Sequence, residues 1–213
     1  MSPELARNLF VLVAVFVLGW FAIGTQLNIR KGNHVLRWLQ DGLGLVGEKT
    51  TLRWLGSSAV ELKVQKALGA FRTVEVFVVL EPRDIPFLLW FFRARGRHDL
   101  LIIRGQLRAM PRFELEALDT RAWSTRGIEG TVQRKNWIPV GTPPGSSLVA
   151  YVQGRVDAAS ELLALATRSD LPLVRLAIHQ NAPHLEAQWR LAGFERLASR
   201  RLLEALCHLA ERL

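Results

Sequence analysis

The most apolar stretch of the chain is near its start: Leu9 to Ile23 reads LFVLVAVFVLGWFAI, with the Trp20 indole as its one polar group. Continued to Leu27 it makes a helix of about 19 residues, enough to cross a hydrocarbon layer of roughly 30 Å. Before it, Arg7 is offset by Glu4; after it come Arg30, Lys31, His34 and Arg37. Cationic flanks stay on the cytoplasmic side. The asymmetry therefore predicts a transmembrane anchor over residues 1–29, with the N-terminus outside and the rest cytoplasmic. The competing expectation is export after signal-peptide cleavage, because Ala22-Ile23-Gly24 is a small-x-small site. The weakly charged start, and Arg30-Lys31 directly after that site, favour a retained signal-anchor.

Beyond the anchor the pattern shortens. Gly32-Asn33 reads as a helix break, after which Val35, Leu36 and Leu39 share one face of a short helix that stops at Gly42. Residues 30–49 are thus expected to be an amphipathic juxtamembrane linker, with Arg37 at lipid phosphates and Trp38 at the interface. The tetrapeptide Leu-Arg-Trp-Leu occurs at 36–39 and again at 52–55. Its second copy lies in a β pattern, so the repetition carries no shared function.

From residue 50 the period is mostly two. Thr50 to Leu55 and Ala59 to Val64 predict a hairpin across Gly56-Ser57-Ser58, with Val60, Leu62 and Val64 on the inner face. Val74 to Leu80 is apolar on both faces apart from Glu75 and predicts a central strand. Asp84 caps a helix from Ile85 to about Arg95 that is almost wholly apolar, so it is expected to be buried or partly inserted in a bilayer. Leu100–Leu107 and Phe113–Leu118 predict a second hairpin across Ala109-Met110-Pro111, setting Gln106 opposite Glu114 and Arg104 opposite Glu116.

Residues 120–146 alternate turn signals with Trp123 and Trp137 and predict no element. A long helix is expected from Ser146-Ser147, because Val149, Val152, Val156, Ala159, Leu163 and Ala166 recur at helical spacing. A third hairpin follows, Leu173–His179 with Leu185–Leu191, and an amphipathic helix runs from about Phe194 to Leu213. The order predicts an α+β fold: a mostly antiparallel sheet with helices on one face, in the split β-α-β arrangement of ferredoxin-like domains, plus an extra hairpin and a C-terminal helix. Residues 50–213 form this cytoplasmic domain. The echo of Arg97-His98-Asp99-Leu100 in Arg168-Ser169-Asp170-Leu171 suggests a duplicated α-β-β unit over 84–118 and 147–191.

Charge narrows the partners. The 213 residues carry 28 Lys and Arg against 19 Asp and Glu, a formal charge of +9, which suits anionic lipid or nucleic acid. Arg30, Lys31, Arg37, Trp38, Lys49, Arg93, Arg95 and Arg97 are expected at an anionic membrane surface. Nucleic acid is disfavoured: the predicted outward strand positions include Glu61, Glu114, Glu116 and Glu186 and no aromatic for base stacking. Cys207 is the single cysteine and has no internal disulfide partner.

Candidate chemistry is sparse. His179, His184 and Glu186 flank one turn and are a weak zinc candidate, short of the usual third strong ligand. Gly141-Thr-Pro-Pro-Gly145-Ser-Ser precedes a predicted helix but lacks the lysine of a phosphate loop, so it reads as a loop and cap. Cys207 and His208 point about 100° apart on a helix, which does not suit a nucleophile and its base. No cofactor is expected. The leading expectation is a non-catalytic scaffold, assembly or regulatory role at the membrane. The alternatives are a membrane-tethered enzyme acting on a lipid or other amphiphile, built from the 85–95 helix and the 120–146 loop, and a tethered nucleic-acid-binding domain.

Overall fold

The computed structural model describes residues 2–134, 136–142, 146–167 and 171–213. Helix α1 (Pro3–Leu43) is one unbroken helix of 41 residues, about 60 Å long at the ordinary rise. Ser2 caps it by accepting the Leu5 amide hydrogen, and Pro3 opens its first turn. Its N-terminal half is bare: Phe10, Leu12, Val15, Phe16, Leu18 and Ile23 are all exposed. Its C-terminal half carries a buried stripe, Gly24, Asn28, Gly32, Val35, Leu36, Leu39, Gly42 and Leu43. A single helix therefore serves as both apolar rod and core element.

The expected break at Gly32-Asn33 does not occur, and there is no separate juxtamembrane helix. Gly32 is there for clearance: a Cβ would stand 2.6 Å from the Trp54 ring. At Gly24 a Cβ would lie 2.2 Å from the Arg83 carbonyl oxygen, and at Gly42 it would lie 2.8 Å from Leu203. These glycines let α1 lie against the domain at backbone contact, so helix continuity outweighs their poor helical propensity of about 1 kcal/mol each.

Among the described residues nine strands form one sheet: β1 (Gly47–Trp54), β2 (Ala59–Ala67), β3 (Phe71–Val79), β4 (Leu100–Leu107), β5 (Glu114–Asp119), β6 (Ile138–Val140), β7 (Leu148–Gln153), β8 (Leu173–Ile178) and β9 (Leu185–Arg190). The order is β1-β2-β3-β4-β9-β8-β5-β7-β6, and every pairing is antiparallel. The α+β class and the hairpins β1-β2 and β8-β9 match expectation. Helix α2 (Pro86–Ala94) joins β3 to β4, which are neighbours, so this crossover is not a split one. Helix α4 (Val156–Ala166) joins β7 to β8, which straddle β5.

Three expectations give way. Strands β4 and β5 are not a hairpin: β9 and β8 lie between them, and the chain from 108 to 113 passes across. Both edges of each strand are already paired, β4 with β3 and β9, β5 with β7 and β8. Gln106 and Arg104 thus face Thr73 and Glu75 on one side, and the segments 84–118 and 147–191 do not share a pairing pattern. The helix expected from residue 146 begins only at Val156, because Leu148–Gln153 is a strand with Leu148, Ala150 and Val152 buried. Gly154, at φ 115°, makes the break, a conformation closed to other residues at little cost. The third is burial of α2 in the domain, one of its two expected placements: none of its residues is buried.

One face of the sheet is covered by the lower half of α1, by α4 and by helix α5 (Ser199–Glu211). Val35, Leu36, Leu39 and Leu43 of α1 meet Leu202, Leu203 and Leu206 of α5 and the strand residues Val60, Leu62, Val64, Val74 and Val76 in one core. Full burial of each such side chain contributes about 1.5–3 kcal/mol. The other face is open over β2, β3 and β4. Over β5 and β7 it is partly covered by helix α3 (Ile128–Arg134), whose Glu129 accepts the Tyr151 hydroxyl hydrogen at 3.2 Å. Helices therefore lie on both faces, not one.

Candidate functional site

Two charged assemblies stand out. The first runs across the open face. Lys63, Glu75, Arg104 and Glu186 are successive register partners on β2, β3, β4 and β9. Arg104 donates to Glu186 at 2.6 Å, and Arg175 on β8 donates to Glu186 at 2.8 Å and to Glu116 at 2.7 and 3.1 Å. His179 lies 2.9 Å from Glu116. Burial alone would raise the Glu116 carboxyl, but hydrogen bonds from His179 and Arg175 outweigh it and hold the group below the usual carboxylate range. Each acid here is matched by a base, so the row is a structural clasp and not an acid–base pair.

The residues of the zinc candidate have other partners. His179 is engaged by Glu116, His184 Nδ1 accepts the Leu107 amide hydrogen at 2.9 Å, and Glu186 serves two arginines and Gln188. Among the described residues no three His, Cys, Asp or Glu side chains are grouped to hold a metal ion. Ser146 and Ser147 precede a strand, so they cap no helix, and Pro143 to Gly145 of the phosphate-loop reading lie outside the described residues. The 168–170 part of the internal echo also lies outside them. The Cys207 thiol is pushed up by burial first and by Glu211 and Glu204 second, the opposite of an activated nucleophile.

The second assembly gathers where α1 leaves the domain. The Trp20 indole donates to the Arg83 carbonyl oxygen at 3.0 Å, and buried Asn28 accepts from the Arg83 guanidinium at 3.0 Å. Asp99 collects the Glu81 amide at 2.7 Å, Arg83 at 2.8 Å and Lys31 at 2.6 Å. Arg93 donates to Glu81 at 2.7 Å. Burial opposes ionisation of Asp99, yet the Arg83 and Lys31 hydrogen bonds win and hold its carboxyl below the ordinary value. Lys31, Arg83, Arg93 and Arg190 share this hollow of about 190 Å³ with only Glu81 and Asp99 as acids.

Next to it, sharing His98 and Arg190 as a wall, is a cleft of about 140 Å³. Its floor and sides are Val79, Leu100, Ile102, Val174 and Trp123. Arg97 stacks over the Phe92 ring at 4.7 Å and the Trp123 ring at 5.3 Å. Of the site expected from the 85–95 helix and the 120–146 loop, Ala122, Trp123 and Ser124 line this cleft and Phe92 adjoins it; its floor had no sequence signal, because it needs β3, β4, β8 and β9 side by side with the turn at Trp123–Thr125 folded over them. The tryptophan in an otherwise turn-rich segment was the one signal.

The basic set expected at the membrane is dispersed. Arg93 is in the last turn of α2 and paired with Glu81, Arg95 and Arg97 stack on Phe91 and Phe92 of that helix, and Lys31 is held by Asp99. Arg30 is exposed. Arg37 is exposed, and Trp38 departs from the expectation. It lies about 21 Å along the helix beyond Gly24 at the ordinary rise. The Trp38 indole donates to the Leu197 carbonyl at 2.7 Å and its ring meets Phe194, so it packs into the domain. Lys49 is at the start of β1, whose far end, Trp54, is the one near Gly32.

No protein-family model matches this chain, and no curated protein sequence matches it.

Proposed function

We propose that this chain is a single-pass, membrane-anchored protein whose α+β domain sits against the cytoplasmic face of a bilayer, N-terminus outside, with a non-catalytic scaffold, assembly or regulatory role. The observation that carries this reading is the continuity of α1: bare and apolar up to Ile23, then core from Gly24 onward with no linker between. The bare apolar run from Leu9 to Ile23 is about 22 Å long, and Leu5 and Ala6 continue it past Arg7, whose long side chain can reach back to the headgroups of a layer roughly 30 Å thick. Retention of the anchor is supported by Gly24, which is helical and pressed on the Arg83 backbone, where a processing enzyme would need accessible chain.

Helix α2 adds to this. Its N-terminus abuts Gly24 through Asp84, and it presents Phe87, 68% exposed, and Trp90, 72% exposed, with Ile85 beside them. Bare aromatics next to a membrane rod suit the headgroup layer. Matched charges across the open sheet face favour a role in holding other molecules. An enzyme acting on an amphiphile is favoured by the cleft beneath Trp123 alone.

The test is a pair of fusions in cells, with a periplasm-active and a cytoplasm-active reporter at the C-terminus, alongside the intact mass of the membrane-extracted protein. Activity in the cytoplasm only, with residues 1–29 retained, is expected. Activity outside, or a mass beginning after Gly24, would reject the reading.

A further inference from the structure

We infer that the cleft beneath Trp123 is a binding site for one anionic amphiphile, a phosphate-bearing lipid whose headgroup enters between Arg97, His98, Ser124 and Arg190 while its tail stays in the bilayer. The inference rests on the anchored reading above, since the anchor is what brings a lipid to this rim.

Composition of the wall is the first reason. Its apolar part is made by Val79, Leu100, Ile102, Val174 and Trp123, and every ionisable group on it is basic: Arg97, His98 and Arg190. On the open face Arg104 and Arg175 each donate to a carboxylate, whereas in the cleft His98 stands 3.8 Å from Glu81 and Arg190 3.9 Å from Asp119, neither within hydrogen-bond reach. A wall that combines apolar carbon with basic groups alone fits a ligand with an anionic head and an apolar continuation.

Unused donors are the second reason. Arg190 Nε and Ser124 Oγ are buried and have no hydrogen-bond partner among the described residues. The nearest acid to Arg190 is Asp119, at 3.9 Å from Nη2, too long for a hydrogen bond. Arg97 makes ring contacts with Phe92 and Trp123 and no ion pair among the described residues. Leaving a buried donor unmet is costly, so two of them in one cleft mark a place where acceptor oxygens belong. Phosphate oxygens, with several lone pairs each, are the acceptors that arginine forks match best.

Position and size are the third. The cleft opens beside the C-terminal end of α2, whose Phe92 meets Trp123 edge-on at 5.8 Å. A volume of about 140 Å³ takes a headgroup and the first carbons of a chain, not a whole lipid. The adjoining hollow with Lys31 and Arg93 extends the positive field inward.

The full-length protein in a nonionic detergent would be examined by native mass spectrometry with added phosphatidylglycerol, phosphatidylcholine or inorganic phosphate. One phosphatidylglycerol per chain is expected. Arg97→Gln and Arg190→Gln should each weaken it about tenfold, equivalent to about 1.4 kcal/mol. Arg95→Gln, a rim arginine that stacks on Phe91 outside the cleft, should leave binding unchanged. If Arg190→Gln does not fold, Ser124→Leu, which fills the cleft from a partly exposed turn, replaces it. Equal binding of phosphatidylglycerol by wild type and Arg97→Gln, or equal occupancy by phosphatidylcholine, overturns the site. Displacement of the lipid by millimolar inorganic phosphate overturns the amphiphile and leaves a simple phosphate site. Alkaline extraction from membranes keeps the outcomes separate: release of the wild-type chain would refute the anchored reading, whereas undiminished lipid binding by Arg97→Gln with the wild type still anchored refutes only the cleft.

Discussion

Trp20 of the apolar rod donates its indole hydrogen to the backbone carbonyl of Arg83, 63 positions later, and the Arg83 side chain reaches back to Asn28 two turns down the same helix. The Arg83 residue is thus gripped by α1 from both ends. Between those contacts Gly24 lies against the Arg83–Asp84 backbone with no room for a methyl group. The domain is consequently fastened to the rod at a set height and angle, not hung from a flexible tether.

Gly24→Leu should therefore loosen the junction. Overpacking of a tight contact costs about 1–3 kcal/mol, and a domain of this size loses about 2–4 °C of melting temperature per kcal/mol. Gly19→Leu, at a glycine with nothing within 4 Å, is the control and should melt like wild type or slightly higher. Thermal unfolding in mild detergent decides; identical melts for the two variants would remove the close contact from the account.

Arg175 is the keystone of the charge row. It is largely buried and is shared by Glu116, 3% exposed, and Glu186, 6% exposed. Arg175→Met leaves two buried acids with one arginine and should destabilise by about 3–5 kcal/mol. Arg104→Met should cost much less, since Arg104 is half exposed and Glu186 keeps Arg175. Urea midpoints of the two variants check the ordering.

Acid should act through Asp99 and Glu116, both held below their ordinary values in the folded chain. A carboxyl lowered on folding adds stability that is complete above its unfolded value, about 4, and is lost as pH falls through the folded value. Stability is thus expected to be level from about pH 7 to 5 as far as these groups contribute, and to fall below about pH 4. In Asp99→Asn and Glu116→Gln the midpoint should start lower and fall less steeply. A drop that begins near pH 6 would put groups other than these two carboxyls in control.

If α2 lies in the headgroup layer, Trp90 is within reach of lipid tails. In vesicles containing lipids brominated near the carbonyl, the quenched part of the tryptophan emission should shrink in Trp90→Phe. Trp38→Phe should leave quenching unchanged, because Trp38 is inside the domain. Equal effects of the two substitutions would place α2 away from the bilayer.

The chain by itself determined what local pattern can determine. Fifteen apolar residues in succession make a rod, alternation at Val60, Leu62 and Val64 makes a half-buried strand, and Leu173 to Leu191 with a turn at Asn181-Ala182-Pro183 makes a hairpin. Those are neighbour effects, set within a few residues. Tertiary structure decided whatever depends on who sits alongside. Gly32 and Gly42 read as a break and a stop until Trp54 and Leu203 show them to be clearances. Val149 and Val152 fit a helix as well as a strand until β5 supplies its edge. The cleft under Trp123 joins β3, β4, β8 and β9 with a turn from between β5 and β6, residues up to 111 positions apart. Periodicity carries no information over that distance, because strand pairing is chosen by which edges are free and which faces must be covered. So the rod and its neighbour elements were legible, and the site at their junction was not.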